Sequence, residues 1–245
     1  MSLSPSTDGG IVVASCGLGP AARLARGLAA QGRRVVLLSD QPADGAGGPS
    51  PLPTRFDSRT AVASAFAQAA EQLGGISQLV LSALPAAALR SAAFAEMPEA
   101  DWAAASHATV KAVLYSLQAA GALMTAGGSI TLLGPNVSLT GAAHLVPLCA
   151  AVEAQRSLAK SVARQWGGRG IRINWVAIAS PEFDAAFGAL RLPVVPELGP
   201  PPPALGRRID IDADVLPVVG FLGSAGARGV TGLTINLDGG DWMLP

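Results

Sequence analysis

The stretch Ile11-Val-Val-Ala-Ser-Cys-Gly-Leu-Gly19 is a short apolar run that ends in a glycine-containing turn. Residues 20–31 follow it with Ala, Leu and Arg at helical spacing, and Gly32 ends this segment. A second apolar run comes next, Arg33-Arg-Val-Val-Leu-Leu-Ser-Asp40. Strand, glycine turn, helix and strand in this order form one βαβ unit, so the beginning of the chain predicts a parallel sheet.

The same alternation of strands and helices continues along the chain. Further strands are predicted at 53–56, 78–83, 129–133, 171–177 and 233–237, and further helices at 60–73, 101–124, 145–166 and 212–222. We expect Asp57 or Ser58 to cap the second helix, Gly127-Gly128 to end the third and Asp212 to cap the last. Residues 41–53 and 180–208 are predicted to be irregular. The alternation predicts one α/β domain over residues 1–245, with helices on both faces of the sheet.

The composition argues against several classes of protein. The chain has 245 residues, half of them hydrophobic, with 17 basic and 17 acidic residues and a formal net charge of zero. A chain without net charge has no general attraction for nucleic acid or an anionic membrane. Two cysteines, Cys16 and Cys149, are too few for a disulfide scaffold or a cysteine-built zinc site. With a polar N-terminus and no run long enough to span a membrane, we expect a cytoplasmic protein.

Two later stretches carry a resemblance to a known family. Gly170-Ile-Arg-Ile-Asn-Trp-Val-Ala177 and Val230-Thr-Gly-Leu-Thr-Ile-Asn-Leu-Asp-Gly-Gly240 resemble the sixth-strand and seventh-strand signatures of the short-chain dehydrogenase/reductase family. Asp101-Trp102 resembles the start of that family's fifth helix, and the similarity covers nearly the whole chain. The resemblance implies a Rossmann-like, doubly wound parallel sheet with strand order 3-2-1-4-5-6-7.

The nucleotide-binding motifs of that family are degraded in this chain. The family's first turn, T-G-x-x-x-G-x-G, falls on residues 14–21, and of its three glycines only Gly19 remains. Such glycines let the backbone approach a pyrophosphate, so Gly17 and Gly19 are predicted to be vestigial. Asp40 lies one position beyond the family's ribose-binding acid and is either a weak substitute for it or a solvated turn residue. We therefore expect no cofactor in this chain.

The catalytic residues that the resemblance implies are also replaced. The family uses a tyrosine as general acid with a lysine four residues later, and these positions hold Leu148 and Val152. The serine position holds Pro135, and the helix asparagine position holds Thr109. The single tyrosine of the chain, Tyr115, has no lysine four residues after it, so no Tyr-x-x-x-Lys pair exists in the sequence. A tyrosine without a neighbouring cation titrates near pH ~10 and is a poor acid or base at neutrality.

Three other features give weaker signals for chemistry. His144 is either a replacement acid/base, since histidine is the residue type suited to proton transfer near neutral pH, or a partly buried residue at a helix start. Cys16 lies close to a helix N-terminus and is either a thiol of lowered pKa or a small packing residue. The segment Asp210-Ile-Asp-Ala-Asp214 lacks the Gly and Glu of a calcium loop, so these aspartates favour a helix cap.

Three functional hypotheses remain. The first is a non-catalytic subunit beside an active paralogue that binds NAD or NADP, in a heterotetramer formed through helices 101–125 and 145–166. The family contains such an assembly in anaerobic aromatic degradation, acting on a hydroxyacyl-CoA. The apolar segment 145–152 and the tail after Asp238 are predicted to lie in that interface. The alternatives are a divergent NAD(P)-dependent oxidoreductase with relocated catalytic groups and a stand-alone binding protein for a small ligand.

Overall fold

Seven parallel strands form one sheet in the computed structural model, which describes residues 9–42, 47–190 and 203–243. The strand order is β3-β2-β1-β4-β5-β6-β7, as the family resemblance implied. The strands are β1 Gly10–Gly17, β2 Val35–Ser39, β3 Leu52–Pro53, β4 Ile76–Leu84, β5 Met124–Pro135, β6 Arg172–Ile178 and β7 Thr234–Leu237. The order reverses next to β1, so the carboxyl ends of β1 and β4 border a crevice, the usual place for a ligand in this architecture.

Helices cover both faces of the sheet. They are α1 Ala21–Ala30, α2 Arg59–Leu73, α3 Glu99–Leu123, α4 Val137–Thr140, α5 Val146–Trp166, α6 Ser180–Phe183, α7 Ala185–Ala189 and α8 Leu216–Gly223. Helices α2, α3 and α5 pack against one another on one face, while α1 packs against α8 on the other. The predicted doubly wound arrangement is confirmed.

Several predicted element boundaries are corrected by the structure. Helix α3 ends at Leu123 and β5 begins at once, so Gly127-Gly128 does not end the helix. The guanidinium of Arg169 donates to the carbonyls of Gly121 and Met124 and so binds the end of α3. The segment predicted to be irregular from residue 180 forms the short helices α6 and α7, and residues 191–202 lie outside the described part of the chain.

The structure confirms one of the two predicted caps of α2 and corrects the predicted cap of the last helix. Ser58, not Asp57, caps α2, because its hydroxyl accepts a hydrogen bond from the Ala61 amide at 3.3 Å. A single π-helical turn, 211–215, leads into α8, and Asp210 caps it by accepting from the amides of residues 212 and 213. Asp212 instead pairs with Arg23, so the aspartate-rich segment serves helix capping and ion pairing.

The apolar start of α5 belongs to the interior of this chain. Leu145, Leu148 and Val152 are fully buried, whereas Cys149 is partly buried. The prediction that Leu145, Leu148 and Val152 face a partner is therefore wrong, since the hydrophobic core of this chain already covers them. At the C-terminal tail, Trp242 and Met243 are exposed, and their place in an interface stays a prediction.

Within residues 9–42, 47–190 and 203–243, no helix is long and apolar enough to cross a membrane.

Candidate functional site

The turn between β1 and α1 lies at the crevice and requires glycine at two positions. Gly17 and Gly19 have φ angles of +74° and +121°, which residues with a side chain rarely adopt. A Cβ on Gly17 would lie 2.3 Å from the Leu84 carbonyl oxygen, and one on Gly19 would lie 2.3 Å from Ser82 Oγ. The glycines retained in the sequence are thus required by the turn and by its close contact with β4.

Backbone donors in this turn are engaged within the chain. The bonds run from Gly17 N to Asp40 Oδ1 at 2.9 Å, from Leu18 N to the Leu84 carbonyl at 2.8 Å, and from Gly19 N to Asp184 Oδ2 at 2.9 Å. Pro20 has no N–H to offer. In a dinucleotide-binding turn such amides point at phosphate oxygens. Here each available amide of residues 17–19 already binds an oxygen of the protein.

Asp40 is brought next to the turn, as its position after β2 predicted. Its exposed carboxylate accepts from Gly17 N and from the Gln41 side-chain amide at 3.3 Å. This carboxylate therefore braces the turn through one of its oxygens.

The segment after β6 covers the turn from the other side. Phe183 is buried, and its ring lies so close to Gly19 that a Cβ there would be 2.7 Å from Phe183 Cζ. The ring of Phe187 meets that of Phe183 edge to face, with centroids 6.2 Å apart. This aromatic pair fills space beside the turn.

Asn136 ties this covering segment to β5 and to the C-terminal tail. Its side-chain oxygen accepts from the Ser180 amide at 3.0 Å and from the Ser180 hydroxyl at 2.9 Å. Its side-chain amide donates to Asp241 Oδ2 at 3.1 Å. The carboxyl ends of β5 and β6 are thereby bridged by a buried side chain.

The residues predicted to stand at the family's acid/base positions lie in the core. Leu148 and Val152 are both 0% exposed, one turn apart on α5. On the same helix, the buried side-chain amide of Gln155 donates to the Ala83 carbonyl at 2.9 Å and so fixes α5 against β4. At Leu148 and Val152, this side of α5 therefore presents only alkyl groups.

The two remaining replaced positions have structural roles. Thr109 is fully buried, and its hydroxyl donates to the Ala105 carbonyl of its own helix at 2.6 Å. Pro135 is the last residue of β5 and is paired in register with Ile178 of β6. Neither side chain carries a group that is free to act on a substrate.

His144 and Cys16 are now placed as well. His144 has a φ of +65°, and its carbonyl accepts from the Ala92 amide at 3.1 Å, so it forms part of the turn before α5. Burial, reinforced by the neighbouring carboxylate of Asp40, raises the pKa of the Cys16 thiol. The interpretation of Cys16 as a thiol activated by a helix N-terminus is therefore wrong, and a protonated packing residue accounts for it.

A groove of about 600 Å³ lies open on the Asp40 side of the turn. Its floor is apolar and its rim carries charges of both signs. The lining residues are Cys16, Asp40, Arg55, Phe56, Asp57, Pro85, Ala103, His107, Ala108, Lys111 and Ala112. Arg55 and Asp57 pair with each other at 3.0 Å, which leaves the Lys111 ammonium on α3 as a separate exposed cation at the rim.

A dinucleotide does not fit the residues that form the crevice in this arrangement. The Asp184 carboxylate lies where a diphosphate would need the Gly19 amide, and it adds negative charge next to an anionic ligand. The Phe183 ring occupies the adjoining space against Gly19. The alkyl side chains of Leu148 and Val152 offer no hydrogen bond to a cofactor ribose.

Comparison with known proteins identifies the family. A family model described as enoyl-(acyl carrier protein) reductase matches residues 14–241. This chain belongs to the short-chain dehydrogenase/reductase family. Solved structures agree on the fold: sorbitol-6-phosphate 2-dehydrogenase from Erwinia amylovora superposes with a TM-score of 0.81 at 22% identity, over 96% of this chain and 100% of that one. A dehydrogenase/reductase from Sinorhizobium meliloti gives a TM-score of 0.78 at 22% identity, over 96% and 95%.

Curated relatives from this family match a smaller share of the chain than the solved structures do. A short-chain dehydrogenase/reductase of Botryotinia fuckeliana is 31% identical over 57% of this chain and 55% of its own length. The peroxisomal 2,4-dienoyl-CoA reductase of Rattus norvegicus is 29% identical over 78% of this chain and 66% of its own length. The chain thus spans only about half to two thirds of these relatives. They are named as dehydrogenases and reductases of the family.

Three residues that organise the crevice were missed by sequence reasoning: Asn136, Phe183 and Asp184. Asp184 caps α7 by accepting from the Ala186 amide at 2.9 Å, and an aspartate before a short Ala-rich run is a recognisable cap signal. That signal would have located α7. It would not have revealed the contact with Gly19, because the two residues are 165 positions apart in the chain.

Proposed function

We propose that this chain is a non-catalytic subunit of a short-chain dehydrogenase/reductase complex. An active member of the family would bind NAD or NADP in that complex and carry out the reaction. The observation that carries the proposal is the full burial of Leu148 and Val152 at the positions of the family's tyrosine and lysine. A tyrosine beside a lysine transfers a proton, whereas two alkyl groups have no proton to give.

The proposed assembly is a heterotetramer of two active and two inactive chains. It would form through helices 101–125 and 145–166, which correspond to α3 and α5, together with the exposed tail residues Trp242 and Met243. This resembles the arrangement of 2-(hydroxy(phenyl)methyl)succinyl-CoA dehydrogenase. A hydroxyacyl-CoA is accordingly the substrate class proposed for the active partner.

The names of the relatives favour a second candidate function. A divergent NAD(P)-dependent oxidoreductase with relocated catalytic groups would share their chemistry, and His144 is the titratable residue nearest the start of α5. A third candidate, a binding protein for a small ligand, is favoured by the groove beside Asp40, whose volume would admit a nucleoside-sized molecule.

One set of assays separates the three functions. The purified chain, a family member with an intact Tyr-x-x-x-Lys pair from the same genome, and the co-expressed pair are each assayed for NAD(P)-dependent oxidation of hydroxyacyl-CoA esters and alcohols. The subunit proposal predicts turnover by the partner and the pair, none by this chain alone, and a change in the rate or stability of the partner on mixing.

Each alternative has its own signature in these assays. Turnover by the isolated chain that is lost in His144→Ala would support the divergent enzyme and overturn the subunit proposal. Saturable binding of adenosine to the isolated chain, with no effect on the partner, would favour the ligand-binding protein. A control is Gln72→Ala, which truncates a polar side chain at an exposed position of α2.

A further inference from the structure

The crevice is closed by a segment of the chain itself, residues 180–184, which we call the plug. Its last residue, Asp184, uses both carboxylate oxygens: Oδ1 accepts from the Ala186 amide and Oδ2 accepts from Gly19 N, each at 2.9 Å. Carboxylate and phosphate are both anions that accept hydrogen bonds from backbone amides at the start of a helix. The plug therefore supplies to the turn the kind of oxygen that a phosphate would supply.

Additional contacts hold the plug in place. The Phe183 ring is buried against Gly19, and Asn136 binds both the amide and the hydroxyl of Ser180. Glu182 forms an ion pair with Arg208 at 2.5 Å. Because the plug is anchored at each end and in the middle, its position over the turn is not the result of a single contact.

We infer that the plug is an intramolecular substitute for a diphosphate ligand, and that it keeps dinucleotides out of this chain. A diphosphate could reach the Gly19 amide only by displacing the Asp184 carboxylate, and it would be repelled by that carboxylate while the plug remained in place. The loss of nucleotide binding then has a specific physical cause in addition to the missing family motifs. This inference does not depend on whether the chain has an active partner.

Binding measurements on plug variants test the inference. ADP and NADH are titrated by calorimetry and fluorescence into the wild-type chain, Asp184→Asn, Asp184→Ala and the double variant Phe183→Ala/Asp184→Ala. Asparagine replaces one of the two carboxylate oxygens with an NH2 group that cannot accept a hydrogen bond, so this variant loses the charge and one of the two contacts. We expect ADP affinity to rise about tenfold or more in the Asp184 variants.

Control variants make the same chemical changes away from the crevice. Glu71→Ala removes an exposed carboxylate on α2 and Phe221→Ala removes an exposed phenylalanine, and both should leave ADP affinity at the wild-type level. Wild-type binding of ADP or NADH in the micromolar range would overturn the inference. So would Asp184 variants that are folded but bind ADP no better than the wild-type chain.

Hydrogen exchange gives a second readout that needs no ligand. The Gly19 amide should be protected in the wild-type chain and should exchange faster in Asp184→Asn, while amides in α2 keep their wild-type rates. Rapid exchange of the turn in the wild-type chain would show that the plug is not seated in solution and would overturn the inference. If the double variant fails to fold, the exchange rate of the Gly19 amide in the wild-type chain still tests the inference.

Discussion

Leu148 and Val152, the residues predicted to stand at the family's tyrosine and lysine positions, form part of the core packing of this chain. Both side chains are completely removed from water on α5. A lysine placed at residue 152 would have to bury an ammonium group, and desolvation disfavours the charged form of such a group. The site is therefore built around alkyl side chains and cannot be restored by exchanging two residues.

We predict that Leu148→Tyr/Val152→Lys gains no dehydrogenase activity and loses stability. A buried lysine must either lose its proton or keep a desolvated charge. The pKa shifts measured for buried lysines correspond to a cost of about 4 kcal/mol. Urea denaturation measures the loss, and NAD(P)H absorbance measures the activity. Ala150→Lys places the same residue at an exposed position of α5 and should change stability by less than about 0.5 kcal/mol. A double variant that is as stable as the control would contradict this account of the site.

At the level of elements, α8 depends on polar side chains from three strands of the sheet. The guanidinium of Arg172 on β6 donates to the carbonyls of Leu222 and Ser224, at 2.7 and 3.3 Å. Ser129 on β5 also donates to the Leu222 carbonyl, at 2.8 Å, and Gln78 on β4 donates to the Val219 carbonyl, at 3.0 Å. The last carbonyls of a helix lack partners within the helix and carry partial negative charge, so a buried arginine is well suited to them.

Arg172→Met should destabilise the protein by about 2–3 kcal/mol, because it removes hydrogen bonds from a charged donor to buried carbonyls. Burial lowers the pKa of Arg172, because desolvation disfavours the charged guanidinium. Equilibrium unfolding in urea measures the difference. Arg164→Met, at an exposed position of α5, is the matched control and should lie within about 0.5 kcal/mol of the wild-type chain.

The segment before α8 makes a pH-dependent contribution to stability. Arg207 donates two hydrogen bonds to Asp214 and, with the Asp210 backbone amide, lowers the pKa of Asp214 to about 2. An unfolded aspartate titrates near ~3.9. The folded pKa is the lower one, so this contribution is fully present above pH ~4 and is lost as the pH falls towards 2.

Asp214→Asn should therefore lower the melting temperature at pH 7 and show a smaller further decrease between pH 4 and pH 2 than the wild-type chain. Circular dichroism melts at pH 7, 4 and 2 measure both effects. Arg207→Met removes the partner of the carboxylate and should produce the same pattern. If Arg207→Met retained the wild-type acid sensitivity, the assignment of this contribution to the Arg207–Asp214 pair would be wrong.

For the whole molecule, the sequence predicts the fold better than it predicts the crevice. Hydrophobic runs and glycine turns are local signals, and with the family signatures they gave the strand order of the sheet. The crevice depends on contacts between distant residues, such as Gly19 with Asp184 and Asn136 with Asp241. No local pattern encodes those pairs. The prediction for Leu145 was wrong for a related reason. An apolar helix face has the same sequence pattern whether it packs inside the chain or against a partner.

The surface of α5 that remains exposed to a partner carries small or polar side chains rather than large apolar ones. Its exposed residues are Ala150, Glu153, Ser157, Lys160, Ser161, Arg164 and Gln165. Small side chains allow two helices to approach closely, and helix pairs of this kind pack at interaxial distances of about 8–10 Å. The proposed heterotetramer therefore rests on close helix packing through α3 and α5, with the exposed tail residues adding apolar contact area.

We predict that Ser157→Arg prevents assembly with the active family member, while Ser64→Arg does not. Both serines are exposed on helices of the same sheet face, α5 and α2, but only the first lies on a proposed interface helix. At a close helix contact, a bulky arginine must either push the helices apart or bury an unpaired charge, and both are unfavourable.

Each variant is co-expressed with the active family member, and the mass of the purified complex is measured by light scattering. The wild-type chain and Ser64→Arg should form an assembly of four chains, and Ser157→Arg should elute separately from its partner. A wild-type chain that stays monomeric beside every co-encoded family member would disprove the subunit proposal. An assembly that tolerates Ser157→Arg would instead place the interface away from this part of α5.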